Sequence, residues 1–498
     1  MATVDTPTNS RNPMLASALR RRETLRGMYL GGGWHEGTGP AHTHTYAGDC
    51  DVRHTFRVAG AQDVRDAIGH ADAAKGAWRK SDPAERSRLL VRLADLIVER
   101  GEDLAQMQTL DTGFPIGASR QLIPLMESWV RYYAGFCDKV EGSTVSQLPH
   151  GRFMVNAEPY GVVAIMLTWN MPISSVCMKA MAALASGNCV VIKSPEMAPF
   201  GMMALAELFE QAGFPKGVVS VLAAGPEGGE ALAADPRIGK ISFTGGAVTA
   251  AKVLTAAAPN ITPTLFELGG KSACIVFDDA DLEAAVPFAT YFPYAASGQA
   301  CILPTRLLVH ERVYDQVVER VTASVAAMVP GDAFDPATQF GPLISMAARD
   351  RIAGIVERAQ AESAGRMVLG GNVIGGEYAR GAYFEPTLFV DVDPASDLFR
   401  NEAFGPILAI SRFADEQEAI AQANGTRFGL YSYLWTRDMA RAMRIADAME
   451  AGSCAINGFV GLVPQLPFGG YGISGYGKEG GREGLNEFLR SKTIYIGN

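Results

Sequence analysis

No CxxC pair occurs among the seven cysteines, which are scattered from Cys50 to Cys454. A disulfide framework and a structural zinc site are therefore not indicated, and a reducing, cytoplasmic setting fits best. Nor is there an excess of positive charge: 44 Lys and Arg against 53 Asp and Glu leave a net charge of −9. That balance speaks against a nucleic-acid partner, because neutralising phosphates needs cations clustered on one face. The one basic cluster, Arg20-Arg21-Arg22, is followed at once by Glu23 and reads as a solvated helix end. No apolar run is long enough for a bilayer. The longest uncharged stretch, Gly161 to Met178, is interrupted by Asn170 and Pro172 and reads as a buried strand, turn and helix. An apolar leader is missing too: Met1 to Thr24 is polar, carries Asp5 and Glu23, and is expected to be a loose arm. No His, Asp and Glu grouping has metal-ligand spacing, so no metal is expected; His42 and His44, in a polar stretch, should be solvated.

What the chain does have is length and ordinary globular composition. Its 498 residues, 48% of them hydrophobic and 19% charged, suit a soluble enzyme, with roughly two to four domains expected from such a length. From Asp63 to Arg100 apolar residues recur at helical spacing, predicting two or three helices. After Gly161 short β-rich runs alternate with helical ones: Val162 to Leu167, Cys189 to Ile192, Val218 to Leu222 and Lys240 to Phe243. Such alternation marks a parallel α/β sheet. A second alternating section begins near Ser272, with strands expected at Ala273 to Phe277, Thr305 to Val309, Ile407 to Arg412 and Ser432 to Trp435, and a helix over Val313 to Met328. The tail Ser491 to Ile496 reads as a lone strand in need of a partner edge, with another subunit as one source of it.

Three segments carry candidate chemistry. Gly298-Gln299-Ala300-Cys301 places a thiol after a flexible turn, where a thiolate could attack an electrophilic carbon. Read singly, Cys301 is a small buried hydrophobe. Glu267-Leu268-Gly269-Gly270-Lys271 ends an apolar strand in a carboxylate just before a tight turn; alone, Glu267 would pair with Lys271. Thr168-Trp169-Asn170-Met171-Pro172 sets a side-chain amide after a buried strand, able to donate to a developing oxyanion or simply to shape a turn before proline.

Taken together, in this order, the three segments resemble the signature motifs of the aldehyde dehydrogenase superfamily. The resemblance extends from about Gly31 to Ile496 through Lys193-Ser194-Pro195-Glu196, Phe243-Thr244-Gly245-Gly246, Asn401-Glu402-Ala403-Phe404-Gly405-Pro406 and Pro467-Phe468-Gly469-Gly470. It implies an aldehyde dehydrogenase-like α/β fold: a Rossmann-type cofactor domain over 25–139 and 159–272, an α/β catalytic domain over 273–470, and a small β oligomerisation element from 140–158 and 484–498. A homodimer or homotetramer is implied as well.

By the same resemblance Cys301 is the nucleophile and Asn170, with the Cys301 backbone N–H, lines the oxyanion hole. Glu267 is the general base that hydrolyses the thioester. Relatives that pass the acyl group to coenzyme A generally lack a carboxylate there, so release of the free acid is expected. Lys179 and Glu479 match positions near the site, with a structural salt bridge the expected role. NAD is the implied cofactor. Glu196 and Lys193 reach the adenosine ribose, Glu402 the nicotinamide ribose, and Phe404, Trp169, Thr168 and Leu268 lie beside the cofactor. Gly245 and Gly246 open a helix suited to a pyrophosphate, although the family's usual Gly-Ser-Thr here reads Gly245-Gly246-Ala247. A carboxylate at 196 would repel a 2′-phosphate, favouring NAD over NADP.

The matching substrate-tunnel positions are Met126, Met171, Met178, Ile302, Phe459, Leu462 and Phe468, all apolar, which predicts a hydrophobic aromatic or aliphatic aldehyde. Gly458 to Leu466 holds no arginine for a distal carboxylate, although Arg120 leaves a semialdehyde open. An aromatic cage for a quaternary ammonium aldehyde is not evident. The rivals are a coenzyme A-acylating dehydrogenase and a non-catalytic NAD-binding relative.

Overall fold

The computed structural model describes residues 12–146 and 151–497. Its first sheet follows from the uninterrupted apolar runs read above, since strands covered on both faces carry no polar alternation. Val162–Met166, Cys189–Pro195, Val219–Ala224, Lys240–Thr244 and Thr264–Glu267 are parallel neighbours. Their order across the sheet, from Val219–Ala224 through Cys189–Pro195, Val162–Met166 and Lys240–Thr244 to Thr264–Glu267, reverses direction beside Val162–Met166. That reversal is the Rossmann-type switch point, where strand carboxyl ends open a crevice for a ligand. Antiparallel strands close both edges: Met28–Leu30 beside Val219–Ala224, and Gly475–Tyr476 beside Thr264–Glu267. Residues just after 470 thus return to the cofactor sheet.

The helical spacing from Asp63 to Arg100 becomes two helices, Ala61–Arg79 and Pro83–Glu99; Asp82 caps the second, accepting from the Ala84 N–H at 3.0 Å, with Pro83 at its first position. Two more follow, Gly101–Thr112 and Ile116–Ala134.

In the second sheet Thr387–Val390, Ile407–Phe413, Arg306–His310, Ala273–Val276, Tyr431–Trp435 and Ser453–Ile456 run parallel, with Arg366–Leu369 antiparallel at one edge. The helix expected from Val313 spans Tyr314–Ala326. Arg306 is fully enclosed at the head of its strand. It donates to Lys271 O (2.7 Å), Gln422 O (2.8 Å) and Ala423 O (2.8 Å) and stacks over Phe399, while burial pulls its guanidinium down to about 9. Arg306→Ala should strand three buried carbonyls and cost about 3–5 kcal/mol; an unchanged denaturation midpoint would contradict this.

Three expectations, for the arm, its basic end and His44, are corrected, and the partner edge left open for the tail is found. The loose arm over 1–24 is, from Pro13 to Arg22, a helix capped by Asn12 that buries Leu15, Ala18 and Leu19, packing on Gly101–Thr112; residues 1–11 lie outside the described ones. Of its basic end only Arg20 is exposed, because Arg21 pairs with Asp103 and Glu207, and Arg22 with Glu23. The tail strand finds its partner within its own chain: Leu489–Ile496 runs antiparallel to Arg152–Pro159, which also pairs Ser143–Val145. Finally, the alternation of Ala41–Thr45 turns His44 inward against Phe200 and Asp111, leaving it 2% exposed. Burial, with Arg22 nearby, holds His44 neutral by lowering it to about 3.

Candidate active site

The carboxyl ends of the first sheet face the segments that lead into the second. Asn170 follows Val162–Met166, Glu196 follows Cys189–Pro195, Gly245 and Gly246 follow Lys240–Thr244, and Glu267 ends its strand. From the other side come Cys301, ahead of Arg306–His310, and Glu402 with Phe404, ahead of Ile407–Phe413. Two glycines let the halves touch. A Cβ on Gly270 would strike the Cys301 carbonyl, and one on Gly269 the Glu402 carboxylate.

Asn170 is buried at 4% exposure and held from three sides. Its Oδ1 accepts from the Met171 N–H (3.0 Å), its Nδ2 donates to Gln299 O (2.9 Å), and its own carbonyl accepts from Gln108 Nε2 (2.9 Å). Anchoring the oxygen end at Met171 turns the amide NH₂ toward the Cys301 loop, and one N–H remains uncommitted. Burial, together with the carboxylates of Glu267 and Glu402, pushes the Cys301 thiol well above its ordinary range, so the thiol needs a base to react.

Glu267 is 3% exposed and neither carboxylate oxygen has a hydrogen-bond partner. Burial raises its pKa well above the usual carboxylate range, and neighbouring Glu479 adds to this against the pull of Lys179 and Lys478. The lone-segment alternative, a pair with Lys271, does not form. Lys179 instead bonds Glu479 and donates to Ser242 Oγ (3.2 Å), a fully buried ion pair. A Cβ on Gly469 would press on Glu267 Oε1 at 2.7 Å, so this glycine gives the carboxylate its room.

The cofactor candidates lie along the same crevice. Glu196 stands beside Gly225, where an added Cβ would come within 3.9 Å of its Oε1, and Lys193 passes Gly229, where one would come within 3.3 Å of Cε. Burial lowers the Lys193 pKa, against the pull of Glu196. Gly246 N-caps the helix Ala247–Ala257 with open space around it, the setting a pyrophosphate would need. Glu402 Oε1 accepts from the Gly270 N–H (2.8 Å), Trp169 meets Phe404 edge to face at 5.4 Å, and Leu268 donates its N–H to Ser474 O (3.0 Å). Thr168 is half-buried at the end of the same loop as Trp169.

Met126 lies on Ile116–Ala134 and Met178 on the helix Pro172–Ala185 packed against it; Met171 precedes that second helix. Ile302 and Phe468 are nearly buried, and Phe459 and Leu462 half-buried. Phe459 packs on Phe292 (5.1 Å), Tyr431 (5.6 Å) and Tyr433 (5.8 Å). Arg120, which left a distal carboxylate open, is engaged by Glu102 in two contacts of 2.8 and 2.9 Å. Sequence reasoning passed over Gln108, Ser242 and Ser474, since a lone buried polar residue announces no partner. Gln299 lay in plain view within the cysteine motif.

A sequence profile described as Aldehyde dehydrogenase family matches residues 36–494. A betaine aldehyde dehydrogenase of Cereibacter sphaeroides is 38% identical over 442 residues, covering 87% of this chain and 89% of that protein. Among solved structures, PnpE from Pseudomonas sp. WBC-3 is 38% identical at a TM-score of 0.92, covering 95% of this chain and 98% of that one; a further structure holds PnpE with nicotinamide adenine dinucleotide. A betaine aldehyde dehydrogenase from Staphylococcus aureus in complex with NAD+ is 33% identical at a TM-score of 0.94, covering 97% of each chain. With the profile spanning nearly the whole length and two packed α/β sheets opposing Cys301 to Asn170 and Glu267, this chain belongs to the aldehyde dehydrogenase family.

Proposed function

We propose that this NAD-dependent aldehyde dehydrogenase acts on hydrophobic aldehydes, aromatic or aliphatic, and releases the free acid through a thioester on Cys301. The observation that carries the reading is the buried, unpaired Glu267 carboxylate whose charge bears on the Cys301 thiol. A buried carboxylate without a partner costs stability, and such strain is retained where chemistry uses it.

In the proposed sequence Glu267 accepts the thiol proton as sulfur bonds to the aldehyde carbon. The free N–H of Asn170 and the Cys301 backbone N–H then donate to the oxygen that becomes negative. NAD, when bound, supplies the acceptor for the hydride leaving that carbon. The acyl group remains on sulfur while Glu267 passes the thiol proton to solvent; the freed carboxylate then takes a proton from an attacking water, the C–S bond breaks with the Cys301 thiolate leaving, and the acid departs. Lys193, Glu196, Gly245, Gly246, Trp169, Thr168, Leu268, Glu402 and Phe404 would hold the cofactor; the room left by Gly225, Gly229 and Gly246 fits it. Lys179 and Glu479 serve as a structural pair that keeps a charge couple next to Glu267.

Asn170→Ala should slow acylation by about 10²–10³-fold, the usual cost of removing one oxyanion donor. NAD affinity should stay unchanged in a fluorescence titration, and an unaltered NADH burst would reject the role. Glu196 should favour NAD over NADP by at least about tenfold in kcat/KM, by repulsion of the 2′-phosphate. Glu196→Gln should narrow that ratio, and a wild-type preference for NADP would overturn the assignment.

Met171 and Met178 support a flexible or flat apolar substrate, whereas Met126, expected beside them, is fully enclosed in the core. A second reading, a quaternary ammonium aldehyde, takes support from the betaine aldehyde dehydrogenase names of the relatives and from the rings around Phe459. Those rings pack against one another at 5.1–5.8 Å, which leaves their faces less free for a cation. A panel of hydrophobic, carboxylated and quaternary ammonium aldehydes followed by NADH absorbance separates the readings: highest kcat/KM on a charged one would displace the hydrophobic assignment.

A further inference from the structure

Immediately before the Cys301 loop three successive residues take the left-handed conformation: Ala296 (φ 53, ψ 31), Ser297 (φ 56, ψ 35) and Gly298 (φ 75). Two of them carry a Cβ, so this backbone is strained and persists only where its surroundings over-determine it. The restraint comes from two side chains. Ser297 Oγ donates to Gly341 O at 2.7 Å. Gln299, with 0% exposure, uses both ends of its amide: Oε1 accepts from the Ile344 N–H at 2.9 Å and Nε2 donates to Ala296 O at 3.2 Å. The strained segment is thereby tied to residues 341–344.

The backbone of the same residue meets the other half of the site, because Gln299 O accepts from Asn170 Nδ2. On its far side Asn170 is fixed by Met171 N–H and Gln108 Nε2. A line of hydrogen bonds therefore runs from Gln108 through Asn170 and Gln299 to Ile344, and Cys301 lies two residues beyond its third member. The left-handed turn over Ala296–Gly298 therefore sets where the Gln299 carbonyl meets the Asn170 amide, while Met171 N–H holds the amide's oxygen end.

We infer that Gln299 is a positioning residue, whose side-chain clamp on Ala296 and Ile344 holds the nucleophile loop and the Asn170 amide in mutual register for attack on the aldehyde. The inference rests on the proposed oxyanion role of Asn170. It assigns Gln299 no contact with substrate or cofactor.

The test uses the full-length enzyme with NAD and a saturating aldehyde in rapid mixing. The burst amplitude counts active sites and its rate constant reports acylation. Gln299→Leu removes both side-chain bonds and should slow the burst rate constant per active site about 10–100-fold, with NAD affinity within twofold of wild type. Should Gln299→Leu not fold, Gln299→Glu keeps the shape and the Ile344 acceptor but cannot donate to Ala296 O when ionised, and should slow the burst about 5–20-fold. A merely structural role would lower the burst amplitude or the melting temperature and leave the rate constant per active site untouched; that result overturns the inference. A double-mutant cycle adds a second criterion. In an Asn170→Ala background Gln299→Glu should cost less than about twofold, and multiplicative effects would overturn the inference. If Asn170→Ala alone leaves the burst unchanged, the oxyanion assignment fails and the Gln299 role with it. If Asn170→Ala slows the burst and Gln299→Glu does not, only the Gln299 role fails.

Discussion

Cys301→Ala is expected to abolish the NADH burst and to lower kcat/KM with any aldehyde by at least about 10⁴-fold, since the covalent route loses its only atom able to bond the carbonyl carbon. The fold should tolerate the change: Cys301 is half-buried, and deleting one sulfur at such a place costs on the order of 1 kcal/mol. Burial pushes Cys137 up to about 11 and Cys189 and Cys274 to about 12, so a raised pKa by itself does not single out a nucleophile. Cys301 differs in having three carboxylates, Glu267, Glu402 and Glu479, acting on it across the crevice. Cys454→Ala, on the last strand of the second sheet, is the matched control and should retain the burst. A full burst from Cys301→Ala would dispose of the thioester mechanism.

Glu267→Gln should separate the two halves of the reaction. The first turnover should still yield up to one equivalent of NADH where another base or hydroxide accepts the thiol proton, while steady-state turnover falls by about 10²–10⁴-fold as the acyl-enzyme accumulates. Mass spectrometry of the stalled enzyme would find the acyl adduct on Cys301; unimpaired steady-state turnover would sink the role. In the wild type the deacylation rate should climb with pH through a value above the ordinary carboxylate range, because the raised pKa keeps Glu267 protonated at lower pH. The Gln variant should lose that limb.

Stability should move the other way. The folded-state pKa of Glu267 lies above the unfolded value, so protonation favours the folded state; that contribution is full below the unfolded pKa and is lost as pH rises through the folded one. Above its raised folded-state pKa the ionised, unpartnered carboxylate is a cost, and there Glu267→Gln should melt at the same temperature or higher. A large drop in melting temperature would mean that the carboxylate is held by bonds the structure does not contain.

Much of the scaffold was legible because it depends on local pattern. Uninterrupted apolar strands such as Val162–Met166 can only be interior, and their spacing with helices implies a parallel sheet, as observed. The places where local reading failed are those settled by distant partners. Nothing in Pro13–Arg22 indicates that Asp103 and Glu207, far along the chain, will receive Arg21 and dock the helix. The tail alone does not name its partner edge; only the resemblance grouped it with 140–158, where Arg152–Pro159 pairs with it. His44 looked solvated because its neighbours are polar, yet strand alternation and Phe200 enclose it.

The same division runs through the site. The sequence by itself determined the family, since the motifs around Asn170, Glu267 and Cys301, taken together, resemble those of aldehyde dehydrogenases and the family profile spans residues 36–494. Only the tertiary structure decided that Glu267 is unpaired while Lys179 is taken by Glu479, that Arg120 is engaged by Glu102, and that Gln108 and Gln299 brace Asn170. The physical reason is range: chemical identity travels with the residue, whereas pairing, desolvation and backbone strain are set by atoms that meet only after folding. The proposed role of Cys301 as nucleophile thus rests on the resemblance of its motif together with its neighbours', whereas its protonation and aim belong to the groups that the fold brings to it.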